Sequence, residues 1–144
     1  MAITIRPYQD GDLNNLLFIW EEASKLAHPF LTEAFLAQER HNIPNLYLPN
    51  ANTWLAVDNN RAIGFIALIG NEVGGLFVDP EFHSQGFGRA LMNTARSIHA
   101  TLEVDVFKEN NIGRDFYHRY GFNVQAEKVH KETGNKVLRL FFAG

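Results

Sequence analysis

The chain has 144 residues, 46% of them apolar, and no cysteine, and it carries a formal net charge of −3. That size and apolar content suit one compact domain, read over residues 1–144, with a real core. The composition excludes disulfides, thiolate catalysis and cysteine-held metals, and it provides no basic field for nucleic acid or an anionic membrane.

The first residues, Met1 to Arg6, are strand-like and too polar for a signal peptide. Ile3, Ile5 and Pro7 share one face of that strand. Asp10 or Asp12 stands where a cap for the next helix is expected. Leu13, Leu16, Leu17, Trp20 and Ala27 follow at helical spacing, and the helix ends near His28-Pro29 because a residue before proline avoids the α region. A shorter helix runs from Thr32 to about Arg40. Pro44 and Pro49 then bracket what reads as an irregular connection.

Thr53 to Val57 and Ala62 to Ile69 read as a hairpin through Asp58-Asn59-Asn60-Arg61, and Glu72 to Val78 as the third strand of a meander. The longest apolar run, Ala62 to Ile69, is broken by Gly64 and is far short of a membrane span. A soluble, cytoplasmic protein with no membrane or nucleic-acid partner is the expectation. After Pro80 and a polar loop, Phe87, Ala90, Leu91, Ala95 and Ile98 mark one face of a helix. Thr101 to Phe107 is a strand, Asn110 to Tyr120 a short helix closed by Gly121, and Phe122 to Val129 pairs with Lys136 to Phe142 in a final hairpin. Hairpins followed by a strand–helix–strand crossover indicate an α+β sheet of mixed direction. The six histidines are scattered, with no His-x-x-x-His pair, so no metal is expected.

The informative stretch is Leu76 to Met92, a strand end and a polar loop in which Gly86 and Gly88 fall at the start of the long helix. Unpartnered N–H groups and the helix dipole make such a start a place for phosphate, and glycines clear room for it. A dinucleotide fold would want a third glycine at Leu91, glycines nearer the strand, and more chain than remains. A coenzyme A pyrophosphate loop fits better.

His83-Ser84-Gln85-Gly86-Phe87-Gly88 resembles the Arg/Gln-x-x-Gly-x-Gly/Ala loop of the GNAT N-acetyltransferases, with His83 in place of Arg or Gln. Asn110-Asn111-Ile112-Gly113-Arg114-Asp115-Phe116-Tyr117-His118-Arg119-Tyr120-Gly121-Phe122 resembles the family's Asn-x-x-Ala-x-x-Phe-Tyr-x-x-x-Gly-Phe segment, with Gly113 in place of alanine. The resemblance covers nearly the whole chain. It is strongest to small bacterial members, including protein-lysine acetyltransferases, that carry a segment like His28-Pro29-Phe30 after the first helix. It implies a mixed, mostly antiparallel sheet of about seven strands with about four helices and a central βαβ crossover.

The same resemblance implies transfer of an acetyl group from acetyl-CoA, as co-substrate, to a primary amine: a small molecule, a protein lysine or a protein N-terminus. Leu76, Phe77 and Val78 are expected to meet the pantetheine arm and the oxyanion through the main chain. His83, Ser84, Gln85, Gly86, Phe87, Gly88 and Arg89 are expected to hold the phosphates, with Arg114 approaching them and Asn110 meeting the cofactor arm. His28, Phe30 and Tyr47 are expected to border the acceptor pocket. Tyr117 stands at the family's general-acid position; a phenol of pKa about 10 protonating a thiolate of about 8.5 moves uphill by only roughly 2 kcal/mol. The base is open among Glu72, Glu103 and Asp105, with Asp79 and Glu81 behind them; Glu103 is preferred because it alternates with core positions. A non-catalytic acyl-CoA-binding module of the same fold is the alternative. A monomer or a homodimer paired through the last hairpin is expected.

Overall fold

A computed structural model describes residues 3–144; Met1 and Ala2, read above as the start of the first strand, lie outside them. One seven-stranded sheet runs in the order β1-β2-β3-β4-β5-β7-β6. Its strands are β1 (Thr4–Pro7), β2 (Asn52–Asp58), β3 (Arg61–Ile69), β4 (Glu72–Val78), β5 (Leu102–Phe107), β6 (Asn123–Val129) and β7 (Lys136–Phe142). The helices are α1 (Leu13–Ala27), α2 (Glu33–Asn42), α3 (Phe87–Ile98) and α4 (Asn111–Tyr120). Every neighbouring pair is antiparallel except β4 and β5, which α3 connects as a parallel crossover.

Consecutive strand residues go to opposite faces, and here they enter different cores. Ala56 and Ile66 join Leu91, Met92 and Ala95 of α3 and Tyr117 of α4 on one face. Leu55 and Phe65 join Leu16, Leu17, Ile19 and Trp20 of α1 on the other. The β2–β3 turn uses left-handed backbone at Asn59 and Asn60, with φ of 50° and 64°, a conformation asparagine tolerates well.

Two local expectations are corrected. Residues 43–50 are not irregular: wide and then tight helical turns span Ile43–Tyr47 and Leu48–Asn50. Pro44 and Pro49 each sit in the first two positions of their turn, a place where proline is accommodated in a helical path. Neither aspartate caps α1 through its side chain. Asp12 instead reaches back, accepting from the Gln9 N–H at 2.8 Å and from Arg6 Nη1 and Nη2 at 2.8 Å each.

Candidate active site at the sheet gap

β4 and β5 pair at only two positions, Glu72 with Glu103 and Val73 with Val104. The cause lies in β4. Ala67 faces Gly75 while Leu68 faces Val73, so Gly74 is an extra residue that bulges the strand. A bulge bends its strand and ends pairing nearby. From Gly74 onward, the β4 backbone groups on that side have no β5 partner, and a gap opens through the sheet.

Two cavities meet at the gap. One, of about 490 Å³, lies between the glycine loop and α4; the other, of about 260 Å³, lies beneath the ends of α1 and α2. Leu76 and Tyr117 line both.

The larger cavity has the features of an anion site. The loop turns left-handed at Ser84 (φ 64°) and at Gly86 (φ 93°), which immediately precedes α3. Such turns bring backbone N–H groups together at a helix start. His83 Nε2 donates to the Val78 carbonyl at 3.0 Å, tying the loop to the end of β4 in the place of the family's Arg or Gln. Val78, Phe87 and Arg89 line this cavity, with the Arg89 guanidinium 5.4 Å from the Tyr120 ring centroid.

Two expectations change here. Gly88 lines this cavity, and a Cβ there would stand 3.2 Å from Phe116 Cε1, so the same glycine also lets α3 approach α4. Arg114 is turned away, donating to the Lys108 carbonyl at 3.0 Å, and Arg119 lines the cavity instead. Gln85 is exposed beside the Glu81 carbonyl and lines neither cavity.

The smaller cavity gathers His28, Tyr47, Phe77, Asn110 and Tyr117. Phe30 packs behind His28, ring centroids 5.8 Å apart, and is not itself in the lining. Asn110 caps α4, its side chain accepting from the Gly113 N–H at 2.9 Å, and belongs to this cavity rather than the glycine-loop one. Glu103 lies outside the lining. Arg139 of β7 holds it at 3.2 Å and also reaches Glu72 at 3.1 Å and Asp105 at 3.2 Å. A carboxylate engaged in that cluster is poorly placed to take a substrate proton.

The sequence reading missed Glu39, Phe107, His130 and Glu132, which complete the wall. Tyr47 donates to Glu39 Oε1 at 2.9 Å, and burial raises the Glu39 pKa above the usual carboxylate range. Ser24 Oγ, one helical turn before His28, is buried in the same wall with no partner. No lysine or arginine stands among the lining residues. Tyr117 is 6% exposed, and burial alone pushes its phenol well above the ordinary value.

A family model for the acetyltransferase (GNAT) domain matches residues 49–124. The chain belongs to the GNAT acetyltransferase family. Its sequence is 33% identical to the peptidyl-lysine N-acetyltransferase YjaB of Salmonella typhimurium, over 93% of this chain and 92% of that protein. The solution structure of apo YjaB from Escherichia coli superposes with a TM-score of 0.89 at 28% identity, covering 100% of this chain and 99% of the other. A crystal structure of the PaiA N-acetyltransferase of Thermoplasma acidophilum in complex with coenzyme A shares the fold, with a TM-score of 0.76 at 22% identity over 96% and 98% of the two chains. The expected mixed seven-stranded sheet and four helices are those of this GNAT fold, and the enzyme is an acetyl-CoA-dependent acyltransferase. Among the described residues, no group of three or more metal-ligating side chains comes together.

Proposed function

We propose that this GNAT enzyme acetylates the side-chain amine of peptidyl lysine, with Tyr117 as the general acid for the departing thiolate. The observation that carries the reading is the position of Tyr117, whose side chain borders both cavities where they meet. The larger cavity suits the phosphates and arm of the co-substrate, and the smaller one the acceptor. Burial keeps the Tyr117 phenol protonated at working pH, so it stands ready to donate. The same desolvation disfavours a free thiolate, which favours its taking up a proton. An acceptor wall with Glu39 and Glu132 and no lysine or arginine suits an amine that arrives as ammonium. The relatives named as peptidyl-lysine acetyltransferases support lysine as the amine.

Thermal unfolding with acetyl-CoA, and NADH as control, tests the first half. Ligand at about 100 times its dissociation constant adds roughly 2.7 kcal/mol, a rise of about 5–10 °C for a domain of this size. Incubation with a lysine-containing peptide then gives one acetyl group per peptide by mass. A shift without acetylated peptide refutes peptidyl lysine as the acceptor. No shift with acetyl-CoA also refutes the larger cavity as the co-substrate site.

A further inference from the structure

The end of α1 and the first turn of α4 meet through a hydrogen bond whose direction can be worked out. Asn110 Oδ1 accepts from the Gly113 N–H at 2.9 Å. That fixes the amide, and Nδ2 is the atom 3.2 Å from His28 Nε2. An amide nitrogen only donates. His28 Nε2 therefore offers its lone pair, and the ring proton sits on Nδ1. Nothing around the ring invites a second proton. Phe30, Phe77 and Phe107 meet it edge to face at centroid distances of 5.8, 6.5 and 5.3 Å. Burial alone lowers its pKa, to about 4, with no contribution from Glu39, Asp105, His130 or Glu132 of the same cavity.

Gly113 makes this arrangement possible. A Cβ at that position would lie 2.6 Å from Asn110 Nδ2 and 3.1 Å from its Cγ. The alanine of the family segment would push the amide off His28, so the departure at Gly113 and the link to His28 go together.

We propose that Asn110, given room by Gly113, holds His28 as a neutral Nδ1–H imidazole that serves acetyl transfer as a hydrogen-bond donor to oxygen in the acceptor cavity and not as the general base. The donor role rests on the transferase reading above; the state of the ring does not. With its lone pair engaged, His28 has no site for the acceptor's proton. Its N–H is available to a carbonyl oxygen as that oxygen gains charge, where a fixed donor is most effective. Carrying no charge, the ring does not repel an arriving ammonium. Asn110 and Gly113 are positioning residues, acting through His28.

The test is nitrogen-15 NMR of the His28 ring in the full chain, with kinetics on a lysine peptide, for wild type, Asn110→Asp and Gly113→Ala. Asp keeps an oxygen for the Gly113 N–H and caps a helix as well as Asn, but it presents an acceptor to Nε2. Wild type is expected to show the Nδ1–H tautomer without titration from about pH 8 to about pH 5. In Asn110→Asp, Nε2 gains a proton and the ring titrates near neutrality. Its kcat falls by about 10²-fold, the usual cost of losing one such donor, while the acetyl-CoA thermal shift is retained. Gly113→Ala gives mixed tautomers and a smaller fall in kcat. An Nε2–H tautomer in wild type overturns the proposal. So does an Asn110→Asp enzyme whose ring changes state while kcat does not. If wild type acetylates no amine, the transferase reading fails and takes the donor role with it, yet the tautomer is still read and separates the two failures.

Discussion

Replacing Tyr117 by phenylalanine separates catalysis from stability. The side chain is 6% exposed, and burial is the sole cause of its raised pKa, with no hydrogen-bond partner contributing. The hydroxyl is not one of the fully buried side-chain atoms that lack a partner; the residue borders both cavities. Deleting the hydroxyl therefore breaks no hydrogen bond within the protein and relieves no orphaned polar atom. The ring contacts with Phe116 and Phe122, at centroid distances of 5.5 and 5.3 Å, are kept. Tyr117→Phe is therefore expected to match wild type in stability to within about 1 kcal/mol, or about 2–4 °C in melting point. Turnover is expected to fall by about 10²-fold, the lower end for a lost general acid. Paired thermal melts and steady-state rates of thiol release, each with and without acetyl-CoA, measure both. Unchanged turnover would remove Tyr117 from the mechanism. A melting point several degrees lower would show that the hydroxyl is bonded within the protein, and the energetic reasoning would fail.

Gly88→Ala gains about 1 kcal/mol of helix propensity and sets it against an overpacking cost of about 1–3 kcal/mol. With Phe116 Cε1 only 3.2 Å from the new Cβ, a lower melting point is expected, together with a smaller acetyl-CoA shift, because Phe116 lines the glycine-loop cavity. An unchanged melting point with the ligand shift lost would instead show that Gly88 acts in the anion site alone. Acid stability follows from His28, whose pKa falls from 6.5 to about 4 on folding. Between those values the unfolded chain takes up a proton that the folded one refuses. This contribution is thus complete above the unfolded value and declines by about 3 kcal/mol as pH falls toward the folded one. Denaturant titrations at neutral and acid pH check this, and His28→Gln flattens that part of the slope. Asp12, held below its usual range by Arg6, contributes stability above its unfolded pKa. That contribution disappears at lower pH still, as the carboxylate protonates through its folded value.

The sheet and helices were legible because their signals are local. Leu102, Val104 and Val106 alternate into one core, and Phe87, Leu91 and Ala95 recur at helical spacing and are buried together. The helical path of residues 43–50 was hidden because proline looks like a breaker until its place in the turn is known. Glu103 shows a limit of another kind. Alternation placed it on the face away from Val104, but no pattern along β5 reveals that β7 brings Arg139 within 3.2 Å of it. Arg114 was misread for a related reason, since its direction depends on its side of a helix. The splay depends on a bulge at Gly74, and the Gly-Gly pair at residues 74–75 was its only trace in the chain.

The two departures from the family motifs make physical sense once their neighbours are seen. His83 ties the glycine loop to the last carbonyl of β4, so the loop's backbone donors keep a fixed relation to the gap without a longer side chain. Gly113 frees the Asn110 amide to reach α1. Asn110 and Tyr117 are seven residues apart, two turns or about 10 Å along a helix, and so share one face of α4. Both line the acceptor cavity. One rigid element thus carries the proposed acid and the group that sets the His28 ring, and Gly88 seats that element against α3 through Phe116. The helix that lines the glycine-loop cavity through Phe116 thus also lines the acceptor cavity, through Tyr117 and its cap Asn110.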